Sequence, residues 1–352
     1  MSREDKTFYI LDEPDLPTPY NHRYFVEKFA GGFALNGFKV EVIKSVGAIK
    51  ENSMVMIAKH GLTTNDIFGL FKGISKKETR IKKPSKNGIA GLFGNLISNP
   101  RLLRFYLLNN YKRAVNVLKK LSKIENIVVI CWEYHDHIDL LDELGINYIL
   151  TNYRFYSDPA SSSAKKWYQI YKTEDKALAI PFAAAVDPDK VGEDCLNRKI
   201  KVCYIGNRSY SPEYYKIFIE RQDCEIVPTP PYIPEKERIN IYRNSMISLG
   251  LQDPEHIKNG VVTERVFESL AYGALCFSDN PTAAKITNGI VKFIEDKEHL
   301  SELVEHYVNN EEERLDLREK GFEFIKTQGT YKHVAGGFIN LATKLYDFKM
   351  DT

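Results

Sequence analysis

The sequence predicts an α/β protein built from two doubly wound domains, each with a parallel sheet covered by helices on both faces. Apolar runs of strand length alternate with helical patterns along almost the whole chain, and this alternation is typical of βα units. It pauses in a polar, serine-rich stretch at 156–169 and restarts near residue 200. A length of 352 residues suits two domains of ordinary size. We therefore predict domains at residues 1–180 and 181–352.

Five apolar runs in the first half are predicted strands because each has strand length and ends in polar or turn residues. They lie at 7–12, 39–43, 53–61, 126–134 and 146–152. Helical spacing of apolar residues predicts helices at 21–38, 100–124 and 136–145. The first helix should end at Asn36-Gly37. The pair Gly31-Gly32 lies in its middle, so we interpret it as a close-packing site and not as a phosphate loop.

The same alternation returns in the second half. Strands are predicted at 200–209, 224–231, 246–251 and 274–278, and helices at 213–222 and 234–245. A further helix should begin after Thr263 and end at Gly273, because glycine commonly follows the last residue of a helix. The chain beyond residue 300 is helical in pattern.

The composition is that of an ordinary globular protein. The formal net charge is only +2, so bulk charge gives no reason to expect a nucleic-acid partner. The N-terminus lacks the apolar core of a signal peptide, and no run approaches the roughly 18 apolar residues that span a bilayer. The five cysteines are scattered without metal-ligand spacing. We therefore expect a cytoplasmic protein with reduced thiols and no zinc site.

A basic segment interrupts the first domain at residues 71–100. It holds seven lysine or arginine residues against one acid, Glu78, and ends in a glycine-rich apolar run. One interpretation is a solvated insertion. The other is that residues 72–98 contact an anionic acceptor, or lipid headgroups at the inner face of the membrane. Aromatic residues do not interleave with the lysines as on a stacking platform, so we do not expect nucleic acid.

The start of the predicted helix after Thr263 combines features of a phosphate site. Phosphates favour helix N-termini at the carboxyl ends of parallel strands. Thr263 suits the N-cap, which would leave the N–H groups of Glu264, Arg265 and Val266 facing outward. Arg265 adds a positive charge, and Glu268, about 6 Å along the helix axis, is placed to accept both ribose hydroxyls. The alternative is that Arg265 and Glu268 form a surface pair and that Glu264 complements the helix dipole.

The stretch "TERVFESLAYGALCFSDN" at 263–280 resembles the R-x-F-E-x-x-A-x-G pattern of the CgeB-like and group-1 glycosyltransferases of the GT-B class. Four further segments resemble this family in the same order. They are "IPFAAAVDP" as the interdomain turn, "YIGNRS" as the first strand and glycine loop, "YRNSMISLGL" before the motif, and "GTYKHVAGGFINL" as the closing helix. The resemblance covers residues 177–345 well, and the first half by architecture.

The resemblance implies two Rossmann-like domains facing a cleft, with the C-terminal helix packing back toward the first domain. It also implies a donor nucleotide-sugar, UDP- or GDP-linked, in the second domain and a glycan, lipid-linked or other glycoconjugate acceptor in the first. By position, Glu268 would bind the ribose, and Arg265 with the N–H groups of 264–266 the diphosphate. Three residues after the first strand would lie beside the phosphates: Gly206, Asn207 and Arg208.

One position departs from the family pattern. Many group-1 enzymes carry a glutamate eight residues before the ribose glutamate, where it meets the sugar, but this chain has Gly260 there, with Lys258 and Asn259 nearby. Retention of anomeric configuration therefore stays open. No metal-binding pair is recognisable, so we expect a metal-independent enzyme in which Arg208, Arg265 and Lys258 meet the charge of the leaving diphosphate.

Acceptor and base residues should lie where the first-domain strands end. A dense polar cluster follows the strand at 126–134, and its members are Glu133, His135, Asp136 and His137. One of the four is our candidate base or acceptor contact, although Asp136 could simply cap the next helix. His60, after the third strand, is a further candidate. A metal at His135 and His137 is not expected, because a complete ligand set is not visible.

The prediction is thus a glycosyltransferase of polysaccharide or glycoconjugate biosynthesis. Two alternatives share the architecture. A nucleotide-sugar epimerase would release nucleotide and an altered sugar without an acceptor. A non-catalytic nucleotide-sugar-binding or scaffold protein would bind without turnover.

Overall fold

The computed structural model describes eight ranges of the chain: residues 6–11, 22–57, 115–132, 138–151, 176–178, 183–193, 198–229 and 233–348. The chain divides into two units, the first of residues 1–26 and 40–150, the second of residues 27–39 and 151–352. The basic segment 71–100 lies outside the described residues, and so do five candidate site residues: His60, Glu133, His135, Asp136 and His137.

The first unit contributes five strands to its sheet, in the order β2-β1-β3-β4-β5. The strands are β1 (Thr7–Leu11), β2 (Lys39–Ile43), β3 (Met54–Ile57), β4 (Val128–Trp132) and β5 (Asn147–Thr151). β3 pairs in parallel with both β1 and β4. All of β1 is buried, as expected for a strand covered on both faces. The described helices of the N-terminal half are α1 (His22–Leu35), a helix at residues 115–121 and α2 (Ile138–Glu143); from residue 27 onward, α1 groups with the second unit.

The second unit contains a five-stranded sheet with the order β11-β10-β9-β7-β8. A two-residue strand, β6 (Ala177–Leu178), precedes this sheet in the chain and does not belong to it. The strands are β7 (Ile200–Asn207), β8 (Cys224–Thr229), β9 (Ser245–Leu249), β10 (Leu275–Ser278) and β11 (Lys292–Phe293). Neighbouring strands are parallel. Buried side chains of β7, β9 and β10, among them Tyr204, Ile247 and Phe277, form the core.

Eight helices follow β6 in the described part of the second unit. They are α3 (Pro212–Tyr215), α4 (Glu235–Asn244), α5 (Pro254–Asn259), α6 (Glu264–Ala271), α7 (Pro281–Ile286), α8 (Lys297–Asn309), α9 (Glu311–Gln328) and α10 (Tyr331–Tyr346). The α/β fold predicted from the sequence is confirmed. α5 and α7, each of six residues, were not predicted, because one turn and a half is too short for a visible helical period. The helix predicted at 213–222 is only a short α-helical turn followed by a 3-10 turn at Lys216–Phe218.

Two glycines of helix α1 are sites of close packing, Gly32 against the start of α10 and Gly31 against Val186. A Cβ on Gly32 would collide with the backbone carbonyl of Tyr331, and one on Gly31 would lie 2.5 Å from Val186 Cγ1. Phe29 packs edge-on against the Tyr331 ring at 5.2 Å between centroids. The interpretation of Gly31-Gly32 as a close-packing site is therefore confirmed. This packing explains why residues 27–39 group with the second unit, although they come from the N-terminal half of the chain.

Within the described ranges, no helix is both long and apolar enough to cross a bilayer.

Candidate functional site

The second sheet has a topological switch point between β7 and β9. From β7 the chain moves outward to β8, and it then returns to place β9 on the other side of β7. The loops that leave β7 and β9 at their carboxyl ends therefore diverge. In open parallel sheets, ligands bind in the crevice that forms at such a point. The loop after β7 carries Gly206, Asn207 and Arg208, which the sequence singled out.

Gly206 and Arg265, both predicted site residues, lie against each other at this point. A Cβ on Gly206 would lie 2.6 Å from Arg265 Nη1 and 2.5 Å from the Tyr204 hydroxyl oxygen. The arginine therefore rests on bare backbone that any larger residue would fill. The Tyr204 hydroxyl donates to the carbonyl of Asn207 at 2.7 Å, which fixes the turn that follows.

The Arg265 guanidinium is half-buried and weakly engaged by the protein. Its carbon lies 5.4 Å from the centre of the Tyr210 ring, a cation–π distance. Its Nη1 is 3.5 Å from the carbonyl oxygen of Leu251, the outer limit of a hydrogen bond. Among the described residues, no carboxylate forms an ion pair with it. The guanidinium has five N–H donors, and the protein offers them few acceptors. Such a group is suited to bind an anionic ligand.

Thr263 occupies the N-cap position of α6, as predicted, but its side chain does not cap the helix. The hydroxyl instead accepts from Nε2 of Gln252 at 2.9 Å, and the Thr263 amide donates to Oε1 of the same residue at 3.3 Å. The Val266 amide donates to the Thr263 carbonyl at 3.1 Å. The prediction that the Val266 N–H faces outward is therefore wrong, because the first turn of the helix closes on it. The amides of Glu264 and Arg265 have no acceptor in the described part of the chain.

Glu268 lies one turn further along α6, inside a buried ionic cluster. Its carboxylate is 3% exposed, and Arg238 of α4 donates to it twice, from Nε to Oε2 and from Nη2 to Oε1, each at 2.8 Å. Lys28 Nζ lies 3.4 Å from Oε1. The alternative of a surface pair between Arg265 and Glu268 is therefore wrong, since Glu268 is buried and bound to other cations.

Glu264, the first residue of α6, belongs to the same cluster. Its Oε1 lies 3.0 Å from Lys28 Nζ and accepts from the Tyr331 hydroxyl at 3.3 Å. Burial raises the pKa of the Glu264 carboxyl to about 7, the Glu268 charge adds to the rise, and Lys28 opposes it. Burial alone would lower the pKa of Lys28. The neighbouring carboxylates, which include Glu235 at 3.4 Å, have the larger combined effect, so the pKa of Lys28 is raised.

The remaining predicted residues of the second unit have local roles in the structure. The Asn207 side chain accepts from the amide and the hydroxyl of Ser209, at 3.0 and 2.8 Å, and so shapes its own loop. Arg208 is exposed at the tip of this loop. Lys258 is 72% exposed and lies 3.7 Å from Glu255 on the same helix.

The departure at Gly260 has a backbone reason. Gly260 ends α5 with φ 69°, in the left-handed region that favours glycine. A glutamate there would be strained, and its Cβ would lie 3.4 Å from Thr282 Oγ1.

Val266 is fully buried and contributes packing.

Sequence reasoning missed several residues that build this site. Lys28 comes from a distant helix, so no local pattern could reveal it. Asp279, in contrast, directly follows β10, and a polar residue after a strand could have been noticed. Its carboxylate accepts from the Ser211 hydroxyl at 2.6 Å and from the Gln252 amide at 3.0 Å. Burial raises the pKa of Asp279 to about 6 in spite of these bonds.

No cluster of metal-ligating side chains occurs in the described ranges. The comparisons with known proteins point to one class. Residues 198–340 match a family model described as glycosyl transferase-like, which covers the switch point, Arg265 and the ionic cluster but less than half of the chain. No curated protein matched the sequence.

Two solved structures share the fold over nearly the whole chain. An E. coli structure described as trehalose-6-phosphate bound with UDP-2-fluoro glucose matches with a TM-score of 0.53 and 10% identity, over 96% of this chain and 99% of that one. The N-terminal domain of Candida albicans trehalose-6-phosphate phosphatase matches with a TM-score of 0.54 and 8% identity, over 96% of both. At these identities the likeness shows the fold alone, that of two Rossmann-like α/β units as in GT-B proteins.

Proposed function

We propose that the protein is a glycosyltransferase whose C-terminal unit binds a nucleoside diphosphate-sugar. The observation that carries the proposal is Arg265, which rests on Gly206 at the switch point without a carboxylate partner in the described part of the chain. The match of residues 198–340 to a glycosyl transferase-like family supports the reaction class. The donor is UDP- or GDP-linked, and the acceptor a glycan, lipid-linked or other glycoconjugate.

In this proposal the protein works mainly by stabilising the leaving group. The bond between the sugar and the donor phosphate breaks through an oxocarbenium-like state, and negative charge collects on the departing diphosphate. Positive charge comes from Arg265 and from Arg208 in the loop after β7. N–H donors come from the backbone amides of Glu264 and Arg265. These groups act where a metal ion acts in other enzymes, so we predict activity without one.

The ribose assignment of Glu268 has a structural condition. Oε1 already receives hydrogen bonds from Arg238 and Lys28, and Oε2 receives one from Arg238. A ribose diol therefore has to replace the Arg238 fork or share the carboxylate with it.

The acceptor side of the proposal rests on residues outside the described ranges. Glu133, His135, Asp136, His137 and His60 remain candidates for the base. Contact of 72–98 with a membrane, and a cytoplasmic location at its inner face, likewise remain predictions.

Donor turnover tests the proposal. Purified protein is incubated with a panel of nucleotide-sugars, with water as the default acceptor, in EDTA and in magnesium, and free diphosphate and the sugar product are measured. We expect slow release of diphosphate from one donor in EDTA, reduced about 100-fold or more in Arg265→Ala. Release of an altered sugar would indicate an epimerase, and binding without release a scaffold. Lys320→Ala, which removes an exposed lysine that pairs with Asp316 on α9, is the matched control and should leave the release rate unchanged.

A further inference from the structure

Asp279 joins the two loops that flank the switch point. It follows β10 at the carboxyl edge of the sheet and is 9% exposed. Oδ2 accepts from the hydroxyl of Ser211, in the loop after β7, at 2.6 Å. Oδ1 accepts from the backbone amide of Gln252, in the loop after β9, at 3.0 Å. One buried carboxylate therefore holds both walls of the crevice.

Each of these partners is next to a group that surrounds Arg265. Ser211 follows Tyr210, whose ring lies over the Arg265 guanidinium. The fully buried Gln252 binds both the hydroxyl and the amide of Thr263, the N-cap of the helix that begins just before Arg265. Asp279 is thus linked to the arginine through two short chains of contacts, although it is not itself paired with it.

The loop after β7 needs such an anchor. Ser211 has φ 38° and ψ 58°, a left-handed conformation that is unfavourable for a residue with a side chain. Its backbone is thus held in a state that it would leave if released. The short hydrogen bond to Asp279 is the described contact of its side chain that opposes this.

We propose that Asp279 is the positioning residue for the diphosphate site: through Ser211 and Gln252 it holds Tyr210 and the start of α6 so that the Arg265 guanidinium faces the crevice. The inference rests on the proposed function, because it assigns a support to the anion site of that function. It makes Asp279 necessary for diphosphate affinity without contact between the carboxylate and the ligand, which its negative charge would repel.

The test compares three variants by calorimetry with UDP and with inorganic pyrophosphate. Asp279→Ala removes both acceptors, and we expect both affinities to fall about tenfold or more. Asp279→Asn keeps an acceptor for the Gln252 amide and can donate to the Ser211 hydroxyl, so it should bind within about threefold of the wild type. Asp296→Ala is the control, since that carboxylate caps α8 through the His299 amide at 2.8 Å and should leave affinity unchanged.

A second readout does not depend on any ligand. Phenylglyoxal modifies accessible arginines, and the rate at Arg265 is followed by peptide mass spectrometry. We expect the rate to rise several-fold in Asp279→Ala, as the Tyr210 ring leaves the guanidinium, and to stay near wild type in Asp279→Asn. An unchanged rate together with unchanged affinity in Asp279→Ala overturns the inference. If the wild type binds neither UDP nor pyrophosphate, the proposed function fails, and the labelling rate alone decides the positioning role.

Discussion

Arg265 and Glu268 are three residues apart on one helix, but their surroundings differ sharply. Glu268 is enclosed by the Arg238 fork and Lys28, so its charge is already balanced by the protein. Arg265 lies between bare backbone at Gly206 and the Tyr210 ring, without a carboxylate partner among the described residues, so its charge is available to a ligand. The two residues therefore serve different needs, although their spacing alone would make them a pair.

Gly206→Ala tests the contact under the arginine. The new Cβ would lie 2.6 Å from Arg265 Nη1, so we expect the guanidinium to move and UDP affinity to fall about tenfold. Overpacking should lower the free energy of unfolding by about 1–3 kcal/mol. Gly47→Ala is the control, because the nearest atom to its Cβ would be Ser45 Oγ at 3.7 Å. Equal UDP affinity in the two variants by calorimetry would contradict the proposed site.

Glu264→Gln tests the ionic cluster through pH. The carboxyl pKa rises from 4.5 to about 7 on folding, so the folded state binds the proton more tightly than the unfolded state does. The contribution of this group to the free energy of unfolding is therefore full below pH 4.5 and is lost as pH rises to about 7. The uncharged glutamine should raise the Tm above wild type at about pH 8, and the difference should vanish near pH 4.5. A variant less stable than wild type at pH 8 would show that Lys28 dominates instead.

Among the helices, α6 is held to α4 and α1 by ion pairs, whereas α1 is held to α10 by close packing. Arg238 ties α4 to α6, and Lys28 ties α1 to α6, both at Glu268. Gly32 lets α1 approach the first turn of α10. These contacts place the start of α6 in a rigid frame, which an anion site formed by its first residues requires.

A double-mutant cycle measures the link between α4 and α6. Arg238→Met leaves a buried Glu268 with one cation fewer, and we expect a loss of about 3 kcal/mol in the free energy of unfolding. Arg238→Met with Glu268→Gln should lose less than the sum of the single changes, with a coupling of about 1 kcal/mol or more, read from denaturant titrations. Lys190→Met breaks an exposed ion pair with Glu193 and should leave the free energy of unfolding unchanged within error. Additive single and double variants would contradict the buried pair.

Gly32→Ala tests the packing of α1 on α10. Its Cβ would meet the Tyr331 carbonyl, a backbone atom that cannot rotate away, so we expect a loss of about 3 kcal/mol or more. Gly336→Ala, within α10, would find only Asn36 Oδ1 at 3.6 Å and should gain about 0.5–1 kcal/mol from helix propensity. Thermal unfolding of the pair measures both, and a similar Tm for the two variants would refute the packing.

At the scale of the whole molecule, the sequence was informative where the physical signal is local. Patterns of a few residues were enough to place the strands, the end of α1 at Asn36-Gly37 and the left-handed turn at Gly273. Arg265 and Thr263 were found because helix starts have recognisable residues, and Gly206 was found through the resemblance to the glycosyltransferase family. What could not be predicted depends on contacts across long separations in the chain.

The ionic cluster illustrates that limit. Lys28 reaches Glu268 across 240 residues of sequence, and nothing around either residue marks the other. The resemblance predicted that Glu268 faces a ribose. In the structure its carboxylate is bound by Arg238 and Lys28, because a buried carboxylate requires a counter-charge. The role of Gln252 was hidden in the same way, because its partners lie in two other loops.

We propose that Arg265 binds the diphosphate of a nucleotide-sugar donor. The most direct test is a thermal-shift screen against UDP, GDP, CDP, ADP, dTDP and CMP, with and without magnesium, on the wild type and Arg265→Ala. A ligand at about 100 times its Kd should add roughly 2.7 kcal/mol to the free energy of unfolding. We expect a shift with one nucleoside diphosphate that is independent of magnesium and absent in Arg265→Ala. A shift with CMP alone, a shift that survives in Arg265→Ala, or no shift with any of the six would contradict it.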